Sequence, residues 1–164
     1  MKTLLILRHA KSSWGDPSLA DHERPLNARG KRDAPRMGRL ARDERLGPDL
    51  IISSDAVRAR LTAEAMAEAI GYRRQILLDA RLYHASPAEI LAALRRAVQD
   101  DVSTVMIVGH NPGLEELMAQ LTGDREPIPT AALAQIALPI QRWADLHPST
   151  RGACVGLWRP KELP

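Results

Sequence analysis

Phenylalanine is absent from this chain of 164 residues, and two tyrosines and three tryptophans make up the rest of its large aromatics. So sparse a set leaves few platforms on which the bases of a nucleic-acid single strand would stack. Cysteine is represented once, by Cys154, which excludes a disulfide framework, a zinc ribbon and a CxxC redox pair. Long apolar runs are missing too. The N-terminal stretch Met1 to Leu7 reaches Arg8 at once, too short for a signal peptide or a membrane span. Repeats, low-complexity segments and linker-like stretches are also absent. These absences predict a soluble cytoplasmic protein, one domain over residues 1–164, with no membrane partner. A chain of this size buries roughly two thirds of its unfolded surface and needs neither disulfide nor metal to stay folded. No exposed apolar stripe calls for a second copy, so a monomer is expected.

Charge is plentiful, with a net of +3, and is unevenly spread. Residues 1–60 hold 13 basic and 8 acidic residues, whereas residues 61–164 hold 10 and 12. Of the basic residues 19 are arginine and 4 lysine, beside 24 alanines, a bias that codon composition explains as readily as a binding surface does. The excess in the first third suits any anionic partner, from nucleic acid to phosphate.

The pattern along the chain alternates strands and helices. Thr3 to Leu7 is a continuous apolar run, as expected of a strand buried on both faces. Residues 10–26 are polar and turn-rich. A basic helix is predicted over Asn27 to Arg45, with Pro35 either kinking it or marking a helix start near Asp33. Leu50 to Ser54 reads as a second strand, and Asp55 to Ile70 as a helix stopped by Gly71. Gln75 to Leu78 is a third strand. Ser86-Pro87-Ala88-Glu89 is a capping box with proline at the first helical position, opening a helix to Val98. Thr104 to Val108 is a fourth strand, followed by Gly109-His110-Asn111-Pro112-Gly113 and a helix to Leu121. Leu133 to Leu138 and Cys154 to Trp158 close the sheet. This order predicts a three-layer α/β/α sandwich around a mostly parallel central sheet.

In such sheets ligands gather outside the carboxyl ends of the strands. Three ends carry polar residues: Arg8-His9 after the first strand, Ser53 to Arg60 after the second, and Gly109-His110 after the fourth. Two arginines and two histidines thus converge on one rim. The arginine fork matches phosphoryl oxygens, and a neutral imidazole is a nucleophile. Neighbouring cations disfavour the imidazolium, so a histidine among arginines is poised to attack phosphorus while they hold the charge on its oxygens. His22, His84 and His147 read as surface or satisfied core residues. No HxH, HxxxH or third ligand accompanies either rim histidine, so neither a metal nor a cofactor is expected.

The stretch Leu5 to Trp14 with its Arg8-His9-Ala10 resembles the opening of the histidine phosphatase superfamily, in its small SixA-like phosphohistidine phosphatase branch. The resemblance continues through Arg24 to Gly30, Ile52 to Thr62, Leu82-Tyr83, Val108 to Gly113 and Pro129-Thr130-Ala131-Ala132, in order over residues 1–138. It implies a phosphoglycerate mutase-like fold. It also implies that His9 becomes transiently phosphorylated while Arg8, Arg58 and His110 form the rest of the phosphate pocket. Arg24 matches an arginine that some small members place near the pocket, and Thr130 and Ala131 are expected to line it through backbone. Ala10 stands where many relatives have glycine, which this branch tolerates.

Members of the family that cleave phosphoesters carry an acid after the third strand to protonate the alkoxide. Here that stretch is Leu78-Asp79-Ala80-Arg81-Leu82-Tyr83, with Asp79 the nearest carboxylate. Lacking an acid should cost an alkyl ester about 10²–10⁴-fold. The imidazole leaving a phosphohistidine is weakly basic and takes its proton from solvent. Only 25 residues, Asp79 to Ser103, separate the third and fourth strands, where larger relatives insert a lid. Both features favour a phosphoryl group presented on a protein histidine, with water completing the reaction. The alternatives are a phosphomonoesterase of small esters and a non-catalytic domain binding phosphate or nucleic acid.

Overall fold

A computed structural model describes residues 1–164. Its strands are β1 (Lys2–Arg8), β2 (Leu50–Ser53), β3 (Leu77–Leu78), β4 (Thr104–Gly109), β5 (Leu133–Leu138) and β6 (Ala153–Trp158). They form one sheet in the order β3-β2-β4-β1-β5-β6. β1, β2, β3 and β4 pair in parallel, and β5 alone runs against its neighbours β1 and β6. The helices are α1 (Ala28–Asp43), α2 (Val57–Ile70), α3 (Pro87–Ala97) and α4 (Gly113–Thr122). The three-layer sandwich on a mostly parallel sheet is the architecture read from the sequence.

Strand side chains alternate between faces, and the two cores divide accordingly. Leu5, Leu7, Ile51, Met106 and Val108 face α1 and α2, whereas Leu4, Ile6, Ile52, Val105 and Ile107 face α3 and α4. A central strand must be apolar on both faces, which is why Leu4 to Leu7 are all fully buried.

Three local differences from the sequence pattern have physical causes. The helix over the basic stretch neither breaks nor restarts at Pro35. It begins at Ala28, capped by the Asn27 side chain accepting from the Gly30 N–H at 2.9 Å, and passes through the proline. The bond Pro35 cannot give leaves the Lys31 carbonyl on an exposed turn, where water reaches it. α2 begins at Val57 rather than Asp55, because the Ser54 hydroxyl accepts the Ala56 N–H and holds the chain extended. β3 is two residues long instead of four. The Tyr72 hydroxyl accepts the Ile51 N–H and donates to the Gln75 carbonyl, standing where ladder bonds would continue.

The chain leaves β1 for the α1 face and leaves β4, its neighbour in the sheet, for the α4 face. Connections that diverge to opposite faces open a crevice at the carboxyl ends of the two strands. Glycine secures its walls at two places. A Cβ on Gly30 would stand 2.2 Å from the Lys11 carbonyl oxygen, so only glycine lets the first turn of α1 lie on the loop after β1. A Cβ on Gly113 would meet the Ala85 carbonyl oxygen at 2.0 Å, so the start of α4 is held against residues 83–85.

Candidate active site

The crevice is a cleft of about 240 Å³ whose walls include Arg8, His9, Arg24, Arg58 and His110. Register explains how residues so distant in sequence meet. Arg8 is paired with Gly109 and Ser53 with Val108, so His9, Ser54 and His110 each lie one step past the end of adjacent strands. All three expected strand ends therefore converge, and Thr130 joins them on the wall. Ala131 does not line the cleft. It is fully buried at φ 63°, and its N–H donates to the carbonyls of both Arg8 and His9 at 3.1 Å. It is a strap on the backbone of those two residues.

The two rim histidines are close, with ring centroids 5.1 Å apart, and their hydrogen bonds fix opposite roles. His9 Nδ1 lies 2.8 Å from the Ala10 carbonyl, which can only accept. The proton is therefore on Nδ1, and the Nε2 lone pair is free. The Ala10 N–H in turn donates to Thr62 Oγ1, which donates to the Arg58 carbonyl, so the loop that orients His9 is tied to the first turn of α2. Burial pushes His9 down to about 4, with Arg58, Arg8 and Arg24 adding to the shift against the opposing bond to Ala10. It is neutral at physiological pH.

His110 is the complement. Its Nε2 lies 2.8 Å from Ser54 Oγ. That hydroxyl already accepts the Ala56 N–H, and its own proton has His110 Nε2 as acceptor. A neutral His110 bonded this way carries its proton on Nδ1. That atom is buried and without a partner, and so is Arg8 Nε. Orphaned buried donors are rare and costly, and the residues bearing these two both line the cleft, which suits an anionic ligand. Burial, then His9, Arg58 and His84, push His110 down to about 3.

Sequence reasoning missed the group that organises the arginines. Asp21, in the turn-rich stretch, accepts from Arg24 Nη1 at 2.9 Å through Oδ1 and from Arg58 Nη2 at 2.9 Å through Oδ2. Its backbone carbonyl accepts from Arg58 Nη1 at 2.7 Å. The Tyr83 hydroxyl donates to the same carboxylate, and with the arginines this holds Asp21 far below the usual carboxylate range. Burial, then Asp21, push the Tyr83 phenol upward. Arg24 also donates to the Ser13 carbonyl and to Ser12 Oγ, with the exposed Trp14 ring stacked on its guanidinium. Nothing in residue spacing brings Asp21 to Arg58, 37 positions away; only the fold of the loop does.

Asp79, the nearest carboxylate in sequence, is elsewhere. It caps the turn at Ala80–Leu82 and pairs with Arg81 and Arg96. Burial acts to raise it, but those bonds outweigh burial and hold it low. His84, read as an ordinary surface or core residue, instead lines the cleft mouth. It sits at φ 56° with its ring 3.9 Å from that of Tyr83 and 6.2 Å from that of His110. His22 lies just outside, bonded to Asp55 and Glu23, which raise it. His147 is remote, bonded to Ser149.

An anion cradle on the carboxyl edge of a mostly parallel sheet, with one histidine offering a lone pair and another an N–H, has the chemistry to hold a phosphoryl group and attack it. Residues 4–86 match the histidine phosphatase superfamily (branch 1), and the chain belongs to that family. A chloroplastic protein of Arabidopsis thaliana without assigned function is 35% identical over 149 residues, which are 82% of this chain and 66% of that longer protein. An uncharacterized Mycobacterium tuberculosis protein is 34% identical over 94% of this chain and all of its own length. Among solved structures, the candidate phosphohistidine phosphatase SixA of Agrobacterium tumefaciens superposes with a TM-score of 0.82. It shares 30% identity, covering 97% of this chain and 98% of that one.

Proposed function

We propose that the protein is a phosphohistidine phosphatase that removes phosphoryl groups from protein histidine through a phospho-His9 intermediate. The observation that carries this reading is the pairing of a free His9 Nε2 with two orphaned donors, Arg8 Nε and His110 Nδ1, in one cleft. His9 Nε2 attacks the phosphorus of the substrate, a P–N bond forms at His9, and the P–N bond to the substrate imidazole breaks. That imidazole takes a proton from solvent. Arg8, Arg24, Arg58 and His110 hold the phosphoryl oxygens throughout. Water then attacks phospho-His9, inorganic phosphate leaves, and neutral His9 returns. Thr130 contributes to the wall, and Ala131 acts by positioning Arg8 and His9.

The carboxylates bear on the substrate. Asp79 is engaged away from the cleft and Asp21 is held ionised, so neither stands ready to protonate an alkoxide. This supports a phosphoramidate over an alkyl ester. One observation favours the second reading, a phosphomonoesterase: His84 stands at the cleft mouth, able to carry a proton to a departing oxygen. No helix is long and apolar enough to cross a membrane, and the exposed thiol of Cys154 suits the reducing cytoplasm we propose for it.

The test is a rapid quench with radiolabelled phosphoramidate as donor. A base-stable, acid-labile label on His9, absent from His9→Ala and indifferent to chelator, is expected. A chelator-sensitive reaction, or undiminished turnover by His9→Ala, would sink the mechanism. Turnover of a phosphohistidine peptide should exceed that of phosphoserine and sugar phosphates. The reverse order, abolished by His84→Gln, would establish the esterase reading.

A further inference from the structure

A groove of about 560 Å³ runs between α1 and α2 on the outer surface of the molecule. Its floor is apolar, formed by the buried Leu26 and the half-buried Pro35, Leu61 and Ala65. Lys31, Arg39 and Arg42 rise on the α1 side, and Glu68 is the one acidic residue lining it. Lys31 and Arg39 are exposed and make no ion pair, and Arg42 pairs only with the exposed Asp43 beside it.

The groove adjoins the cleft near the starts of α1 and α2. Leu26 is bridged to Ser12, and Ser12 lines the cleft. Arg58, on the cleft wall, opens α2, and Leu61 follows it by three residues on the groove floor. At 1.5 Å of rise per residue, the groove starts about 5 Å beyond Arg58 and ends near Glu68, about 15 Å from it. The groove is therefore about 10 Å long, the length of roughly seven helical residues. Trp14, 74% exposed at the cleft rim, offers an aromatic contact beside it.

We propose that this groove docks an amphipathic helix of the phosphorylated protein, apolar on the face toward Leu26, Leu61 and Ala65 and acidic along the edge toward Lys31, Arg39 and Arg42. A helix laid there ends next to the cleft and delivers a phosphohistidine near its terminus to His9. Charge complementarity fixes the sign of the partner: three cations and one carboxylate along the groove repel a basic helix and attract an acidic one. This gives a role to three of the six basic residues of α1. The proposal rests on the phosphatase reading for the role of the docked segment and is tested apart from it.

The probe is a 15-residue helical peptide with leucines on one face and glutamates along its edge, followed by phosphohistidine, with a lysine-edged twin as control. The wild-type enzyme should cleave the glutamate peptide with at least tenfold higher kcat/KM than the lysine peptide. In Lys31→Glu/Arg39→Glu that preference should vanish through KM, while turnover of phosphoramidate, which is too small to reach the groove, stays unchanged. Binding of the unphosphorylated, fluorescein-labelled glutamate peptide should weaken at least tenfold in the same variant. This readout holds even if phosphoramidate proves not to be a substrate, an outcome that would strike the phosphatase reading alone. Equal handling of the two peptides, or equal loss toward phosphoramidate and peptide, overturns the docking site. Displacement of bound peptide by a single-stranded oligonucleotide at lower concentration than by the unlabelled peptide would make the surface a nucleic-acid site, and would overturn it too.

Discussion

The ends of β1 and β4 are neighbours in the sheet and carry the same residue type, yet the chain gives their histidines opposite hydrogen-bonding arrangements. At the end of β1 a backbone carbonyl takes the proton of His9 Nδ1 and leaves a lone pair facing the cleft. At the end of β4 a serine hydroxyl occupies His110 Nε2 and leaves an N–H there. Burial makes both rings neutral, so what separates the proposed nucleophile from its proposed electrostatic support is the second nitrogen's partner rather than the pKa.

Removing each ring in turn is the sharpest way to break that comparison. His9→Ala deletes the attacking atom and should lower kcat/KM by roughly 10⁴-fold or more, measured by phosphate release. His110→Ala deletes one oxygen donor, and the expected loss is about 10²–10³-fold with the His9 label still forming under single-turnover conditions. Equal losses in the two variants would show that the roles are not distinct. Acid comes next. Because His9 must be neutral to attack, kcat/KM should be flat from pH 7 to about 5 and fall about tenfold per unit below about 4. The same depressed values predict a stability trend. The unfolded histidines gain protons near 6.5 and the folded ones only near 4 and 3, so stability should decline as pH falls from 6.5 to 4, as urea midpoints would show. An acid limb near 6.5 instead would show that burial does not set the titration of His9. The mildest change is Ser54→Ala, which frees His110 Nε2 to take the proton and should cost about tenfold in kcat with KM nearly unchanged.

Much of this was legible in the residues themselves, and the remainder has identifiable reasons for being hidden. Apolar runs such as Leu4 to Leu7 declare a doubly buried strand, and the capping box at Ser86 to Glu89 forms as its letters imply. Arg8, His9 and His110 could be placed because each sits at a strand end, and Arg58 because it opens the helix that follows one, where the topology forces convergence. Asp21, Thr62 and Ser54 could not be assigned roles in the same way. Each acts through a hydrogen bond to a residue brought near by tertiary folding, and an aspartate in a turn or a threonine in a helix looks the same whether or not such a bond exists. Pro35 shows the reverse case, a strong local signal overridden because α1 packs on the sheet on both sides of it. His84 is the instructive miss: a lone histidine in a loop is unremarkable until the Gly113 contact with Ala85 presses its segment against the start of α4.

The strand that bears His9 comes before the other five in the chain and lies inside the finished sheet, between β4 and β5. It cannot be paired on either side until residues 104–109 and 133–138 have been made. Until then Leu4 to Leu7 wait as an unpaired apolar segment, the kind that invites aggregation during synthesis. Arg8 meets Gly109 across about a hundred residues of intervening chain, so no shorter fragment assembles the candidate site. Enzymatic activity in a nascent or truncated chain would thus report that the centre of the sheet has closed.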